Sequence, residues 1–171
     1  TNMMKNSILA VFLVAALGGS AAAQDDDSPF VTFQVLKPEF ALLMARAALS
    51  SCLDAGYQVG VTVVDRFGNP QVFLRARYTG AHVYETSRRK AWTAVSFRTS
   101  TTELDLATRS DKPSAGIRHL SQALPLGGGL LVFSGDGDLV AGIGVSGAPN
   151  QVADDECAQS GIDAIEDYIA F

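Results

Sequence analysis

Three stretches of the chain place apolar residues at the spacing of an amphipathic helix. They cover residues 37–55, 82–97 and 152–169. In the first, Pro38 suits an early helical position, and Gly56 directly follows the predicted end. A shorter helix is predicted over residues 101–108, capped by Thr101 or Thr102. The predicted inner-face residues of the three long helices are, in chain order, Phe40, Leu43, Met44, Ala47 and Ala48; Ala91, Ala94 and Val95; and Ala158, Ile162, Ile165 and Ile169.

Strand-like composition appears twice, each time as two short apolar runs joined by a turn. Residues 59–64 are rich in valine and lead through a turn to a second run over residues 72–74. Residues 130–133 and 139–145 form the second pair around a glycine-containing turn. Because each pair is joined by a tight turn, its strands are antiparallel. The sequence therefore predicts an α/β domain of the α+β type, with a central antiparallel sheet of two hairpins flanked by helices.

The segment between the predicted short helix and the second hairpin has apolar residues at neither helical nor strand spacing. Residues 109–122 contain a Lys-Pro-Ser-Ala-Gly sequence and are predicted to form a long ordered loop with room for one helical turn. Loops of this length are often functional.

The first 23 residues are organised like a secretory signal peptide, with Lys5, an apolar run over residues 8–17 and small residues up to Ala23. The run is shorter than the ~20 apolar residues that a membrane-spanning helix needs. A retained membrane anchor is the alternative. We expect a periplasmic or secreted protein with a signal peptide at 1–23, an acidic leader at 24–36 and one domain at 37–171.

The formal net charge is −5, and it becomes one unit more negative when Lys5 is removed. An acidic surface is poorly matched to nucleic-acid phosphates, so nucleic acid is not expected as a partner. Cys52 and Cys157 are the two cysteines of the chain. In an oxidising compartment they could form a disulfide, and two separate buried thiols are the alternative. A bridge requires the first and last helices to lie together on one face of the sheet.

Four segments, in this order and spacing, resemble a known family. They are Val63-Val64-Asp65-Arg66-Phe67-Gly68-Asn69, Lys90-Ala91-Trp92-Thr93-Ala94, Gly142-Ile143-Gly144-Val145-Ser146-Gly147, and Asp154-Asp155-Glu156-Cys157-Ala158 followed by Gly161. Together they resemble the haem-binding family that includes glycolate-operon protein G, secreted haem-binding partners of bacterial sensor kinases and the C-terminal domain of a cobalamin adenosyltransferase. The resemblance implies a profilin-like domain, assembly into a homo-oligomer, and binding or degradation of haem. It also suggests a membrane sensor or transporter as a partner.

Haem would need an axial iron ligand and basic partners for its propionates. The chain has two histidines, and His82 at the start of the second helix is the predicted metal ligand, with His119 in the long loop as the second candidate. The alternative for His82 is a surface or capping residue at the start of the helix, which is the more common role of a lone histidine. Predicted cofactor-binding residues near His82 in sequence are Arg75, Arg89 and Lys90.

Gly128 belongs to a run of three glycines whose backbone N–H groups could approach a propionate, although such glycines more often serve turns. Asp154, Asp155 and Glu156 are explained by the positive end of the last helix. A serine hydrolase is not expected, because the sequence contains no Gly-x-Ser-x-Gly motif.

The sequence thus predicts an exported haem-binding protein, with haem degradation left open. The alternatives are a non-enzymatic oligomeric sensory or interaction module and a binder of small organic acids. Partner binding without haem would indicate the former, and ligand-induced stabilisation the latter.

Overall fold

A computed structural model describes residues 28–170, so the predicted signal peptide lies outside the described residues. The compact unit begins at Phe33, slightly before the domain start predicted at residue 37. Within the described range, no helix has the length and apolar character needed to cross a membrane. The helices and strands are α1 (Pro38–Asp54), β1 (Gly60–Asp65), β2 (Pro70–Arg75), α2 (Val83–Phe97), α3 (Thr101–Ala107), a 3-10 helix (Ala115–His119), β3 (Gly129–Phe133), β4 (Leu139–Ser146), α4 (Gln151–Asp163) and α5 (Glu166–Ile169).

The four strands form one antiparallel sheet in the order β2-β1-β4-β3. Each predicted hairpin is present, and β1 and β4 join the two hairpins at the centre of the sheet. In this central pair, Gly60 lies opposite Ser146 and Asp65 lies opposite Ala141. The predicted α+β architecture is therefore confirmed.

Helices α1 and α4 pack against each other and cover one face of the sheet. The core on this side contains Met44 and Ala48 of α1 together with Val61 and Ile143 of the central strands. Cys52 and Cys157 form a disulfide between the two helices, with 5.5 Å between their Cα atoms. The open question of bridged or separate thiols is thus answered in favour of the bridge.

Helix α2 covers the opposite face, where four sheet residues are glycines, among them Gly60, whose Cβ would meet Val83 of α2. A Cβ atom built at Gly144 would lie 2.0 Å from the carbonyl oxygen of Ser87, and one at Gly129 would lie 2.5 Å from that of Lys90. At Gly142 the nearest atom would be a methyl carbon of Val95, at 2.5 Å. The absence of side chains at these positions lets the backbone of α2 lie directly against the sheet.

The inner face of α1 differs from the prediction at three positions. Leu43 is 39% exposed, whereas Ala41 and Ala45 are fully buried. Small alanines allow close contact between α1 and α4, and a pattern search that gives weight to large apolar residues misses them. The buried stripe of α1 consists of Ala41, Met44, Ala45, Ala48 and Cys52.

Two predicted helix boundaries are wrong. The N-cap of α3 is Ser100, whose hydroxyl oxygen accepts a hydrogen bond from the Glu103 N–H, and not Thr101 or Thr102. The last helix is interrupted after Asp163 and does not continue to Ile169. The interruption buries Ile165 completely and turns the chain so that the carbonyl of Ile169 accepts a hydrogen bond from the Gly135 N–H, at 2.6 Å.

Candidate functional site

Lys90 is buried in the face of α2 that lies on the sheet, and its side chain is 1% exposed. Its Nζ atom donates to the Val145 carbonyl oxygen at 2.9 Å and to Asp154 Oδ2 at 2.8 Å. A buried ammonium is costly unless it is paired and hydrogen-bonded. Lys90 therefore joins α2 to the end of β4 and to the first turn of α4.

Asp154 is the partner that balances this charge. Its Oδ1 atom accepts a hydrogen bond from the Ala148 N–H at 3.0 Å, so both carboxylate oxygens are used. Burial raises the pKa of Asp154 and lowers the pKa of Lys90, while each charge acts on the other in the opposite sense. The ionised state of each group thus depends on the other.

The three consecutive glycines already have partners for their backbone N–H groups. Gly127 donates to Gln151 Oε1 at 2.7 Å, Gly128 to Asp155 Oδ1 at 2.6 Å, and Gly129 to Thr101 Oγ1 at 2.8 Å. A Cβ at Gly128, where φ is +112°, would lie 2.4 Å from the Val145 carbonyl oxygen. This loop, a candidate for propionate binding by sequence, is packed against α3 and α4 by its own hydrogen bonds.

A cavity of about 320 Å³ reaches the ion pair from the surface. Lys90 and Asp154 form part of its wall, together with Ser146 and with polar side chains from the loop after α1 and the start of α4. His82 lies at the boundary of this cavity. We call this space the lysine cavity; its polar lining consists of Gln58, His82, Lys90, Ser146, Asn150, Gln151 and Asp154.

A second surface lies around the loop that connects β2 to α2. Two cavities of about 680 and 350 Å³ adjoin there, and Arg75 lines both of them. Their apolar lining includes Leu49 and Leu53 on one side and Phe73 and Tyr84 on the other, whose rings are in an edge-to-face contact at 4.9 Å. We call the two cavities together the loop surface.

Positive charge and possible iron donors are concentrated at this loop. Arg75 and Arg77 line the larger cavity beside Tyr78, which is 78% exposed. The exposed imidazole of His82 lies against Gly80, a residue that lines both the smaller cavity and the lysine cavity. The structure therefore brings two predicted residues, His82 and Arg75, to one loop.

The other predicted site residues lie elsewhere or have other partners. The Arg89 guanidinium donates to the carbonyl oxygens of Gln122 and Ala123, at 3.2 and 2.7 Å, and so anchors the long loop. His119 is exposed on the 3-10 helix, outside the lining of the loop surface and the lysine cavity. Within residues 28–170, no group of three or more His, Cys, Asp or Glu side chains is arranged to hold a metal ion.

Sequence reasoning missed the pairing of Lys90 with Asp154. Lys90 is three positions after Ser87 and four before Ala94, both of which are buried on the inner face of α2. This spacing alone places a lysine against the sheet and requires an acidic partner. The sequence does not show which acidic residue is the partner, because the start of α4 carries three consecutive acidic residues.

The fold and the site define a class of small α+β domain in which a buried lysine of helix α2 forms an ion pair with an aspartate in the first turn of helix α4. A family described as "Haem degrading protein HbpS-like" matches residues 36–163. The chain belongs to this HbpS-like family of haem-degrading and haem-binding proteins.

Solved structures from the same family are similar over most of the chain. A double mutant of HbpS from Streptomyces reticuli is 35% identical, with a TM-score of 0.74 over 92% of this chain and 99% of that one. The complex of PduOC with haem is 28% identical, with a TM-score of 0.71 over 77% of this chain and 95% of that one.

The corrinoid adenosyltransferase PduO of Salmonella typhimurium is 32% identical over 124 residues. The aligned region covers 71% of this chain and 36% of PduO. The chain thus spans about a third of that curated relative.

Proposed function

We propose that the protein binds haem at the loop surface, with His82 as the axial iron ligand. The observation that carries the proposal is that the short segment from Arg75 to His82 carries an exposed imidazole and two guanidinium groups. The guanidinium groups line a partly apolar cavity, and His82 lines the neighbouring lysine cavity. Haem requires these three kinds of group: an axial donor, cationic partners for its propionates and an apolar surface for the macrocycle.

The residues present fit these requirements. Arg75 and Arg77 stand beside the larger cavity, where they would pair with propionates. Leu53 is 41% exposed and Tyr84 is 50% exposed, so apolar surface is available to a flat ligand. Tyr78 offers an alternative oxygen donor next to the two arginines.

Membership of the HbpS-like family and the likeness to a haem complex of PduOC support this proposal. When bound, haem supplies its own redox and oxygen chemistry, and the chain supplies binding and orientation. Degradation is the finer part of the proposal, and it predicts progressive loss of the Soret band when a reductant and oxygen are added to the complex.

Absorbance titration of the purified protein with haem tests the binding. We expect a saturable Soret shift that His82→Ala abolishes or changes to another ligation state. His119→Ala is the matched control, because that histidine is exposed but lies outside the loop surface. Arg75→Ala should weaken binding without changing the position of the band, because its role is electrostatic.

Two results would contradict the proposal. If no Soret shift occurs at micromolar haem, the non-enzymatic oligomeric module becomes the better hypothesis. If only His119→Ala alters the band, haem binds at the long loop. Light scattering on the same samples measures the mass of the assembly and tests the expected homo-oligomer.

We also propose that the protein is exported and that cleavage follows Ala23. The Cys52–Cys157 bridge supports this, because disulfides persist mainly in oxidising compartments. Intact mass spectrometry of the protein recovered from a bacterial periplasm would show a chain that begins at Gln24 and is two hydrogens lighter than its reduced form. An unprocessed chain in the cytoplasm would contradict export.

A further inference from the structure

The amide side chains that line the lysine cavity share an unusual hydrogen-bonding state. Gln58 Oε1 accepts from the Tyr78 N–H at 3.1 Å, Asn150 Oδ1 from the Ala153 N–H at 3.0 Å, and Gln151 Oε1 from the Gly127 N–H at 2.7 Å. Because only an oxygen can accept from a backbone N–H, these contacts fix the orientation of each amide group. Each residue thus uses its acceptor within the fold and keeps its NH₂ group for another partner.

The ion pair in the wall of the cavity has the same bias toward donors. Among the described residues, the Lys90 ammonium donates to Val145 and Asp154, which accounts for two of its three N–H groups. The Asp154 oxygens already accept from Lys90 and Ala148. The side-chain donors of the cavity that have no partner among the described residues therefore include the three amide NH₂ groups and one N–H of Lys90.

We propose that the lysine cavity binds a small monocarboxylate. A carboxylate carries only acceptors and can receive several hydrogen bonds at once, which complements three free NH₂ groups and one ammonium N–H. The cavity also includes the N-terminal end of α4, where the helix dipole favours negative charge. The lysine cavity shares Gln58 and Gly80 with the lining of the loop surface, but the proposal does not depend on haem binding.

The charge and size of the cavity limit the ligand further. The charges of Lys90 and Asp154 cancel, while Asp155, whose charge acts on both groups, adds a negative charge nearby. The attraction for an anion therefore comes from the hydrogen-bond donors and from the partial charge of the helix end. A single negative charge fits this balance better than the double charge of sulfate or hydrogenphosphate. The volume of about 320 Å³ equals that of about ten water molecules, which restricts the ligand to a compact molecule.

Nuclear magnetic resonance of the ¹⁵N-labelled protein tests this directly, with sodium acetate and sodium lactate as probes and sodium chloride at matched ionic strength as the control. We expect the side-chain NH₂ signals of Gln58, Asn150 and Gln151 to shift saturably in the millimolar range of carboxylate. The NH₂ signal of Gln122 should stay fixed, because this exposed side chain lies outside the cavity.

The informative substitution is Gln151→Glu. It keeps the oxygen that accepts from the Gly127 N–H, suits the first turn of α4, and replaces the free NH₂ group with an acceptor and a negative charge. We expect carboxylate affinity to fall by about tenfold or more, since a hydrogen bond to a charged group is lost and a repulsion is added. Gln122→Glu is the matched control and should retain the affinity of the unmodified protein.

The proposal is overturned if acetate and lactate shift these signals no more than chloride does. It is also overturned if Gln151→Glu and Gln122→Glu bind carboxylate equally well. Because His82 also lines this cavity, carboxylate binding is measured without haem, so that failure of the haem proposal and failure of this one are distinguishable. A Gln58→Glu variant tests a second wall of the cavity if Gln151→Glu proves unstable.

Discussion

Removing one member of the Lys90–Asp154 pair should be among the most destabilising conservative changes in the protein. Lys90→Met keeps most of the length of the unbranched side chain but leaves a buried carboxylate without its ammonium, and Asp154→Asn leaves the ammonium without its carboxylate. Breaking a buried ion pair typically costs about 3–5 kcal/mol. Because domains are stable by only about 5–15 kcal/mol, either variant should unfold at a much lower urea concentration.

The double variant Lys90→Met/Asp154→Asn separates the charge effect from lost packing. It leaves neither charge of the pair buried, and the amide oxygen of the introduced asparagine can still accept from the Ala148 N–H. We therefore expect the double variant to be more stable than the sum of the two single losses predicts, by at least about 1 kcal/mol. Urea unfolding of all four proteins at neutral pH gives this coupling energy.

The two single variants should respond to pH in opposite directions. In Lys90→Met, burial keeps the pKa of Asp154 raised above 3.8. Stability is then favoured by protonation and falls as pH rises through the folded-state pKa, so the deficit should shrink as the pH is lowered through that pKa. In Asp154→Asn, burial keeps the pKa of Lys90 below 10.5, and stability rises with pH through that lowered value. Losses under about 1 kcal/mol in both single variants, or slopes of the same sign, would refute the assignment of a buried, charged pair.

Three further results are expected. Replacing Cys52 and Cys157 together with serine should lower the free energy of unfolding by roughly 4–5 kcal/mol, because the bridge closes a loop of 105 residues. Thermal unfolding measures this loss. A change under about 1 kcal/mol would mean that the thiols are not bridged in solution. Gly144→Ala should destabilise the fold by about 1–3 kcal/mol or more, because its Cβ would lie 2.0 Å from the Ser87 carbonyl oxygen. Gly137→Ala is the control: it is strained only by its positive φ and should cost less stability in the same urea assay. Arg89→Ala should free the long loop, and faster amide hydrogen exchange at Gln122 and Ala123 than in Arg46→Ala, a change at an exposed position of α1, would show it.

Much of the fold follows from local patterns in the sequence. The valines of β1 and the turn after them predict a hairpin without knowledge of the rest of the chain, and the observed strand Gly60–Asp65 differs from the prediction by one residue at each end. The disulfide was a possibility that depended on α1 and α4 lying on one face, as they do. The interruption after Asp163 could not be predicted, because it arises from the burial of Ile165 and from a contact with Gly135 in a distant turn.

The site was less accessible to sequence reasoning than the fold. Arg75 and His82 come to one loop because they are close in the chain, and their proximity was expected. Gln58, Gln151 and Lys90 meet through packing of three different elements, and nothing in the local pattern around Gln58 or Gln151 distinguishes them from other surface amides. Whether the oxygen or the NH₂ group of each amide is free depends on hydrogen-bond partners that are distant in sequence.

The central pairing of β1 with β4 has a consequence for how the chain acquires its structure. Gly60 meets Ser146 only after nearly the whole intervening domain has been synthesised, so the middle of the sheet depends on contacts of high sequence separation. Such topologies form more slowly than those built from local contacts. Until β4 arrives, the first hairpin keeps an unpaired inner edge on β1, exposed to other chains. The unfolded chain would therefore depend on holding chaperones until residue 146 has emerged, and a fragment that stops before β4 should aggregate rather than fold.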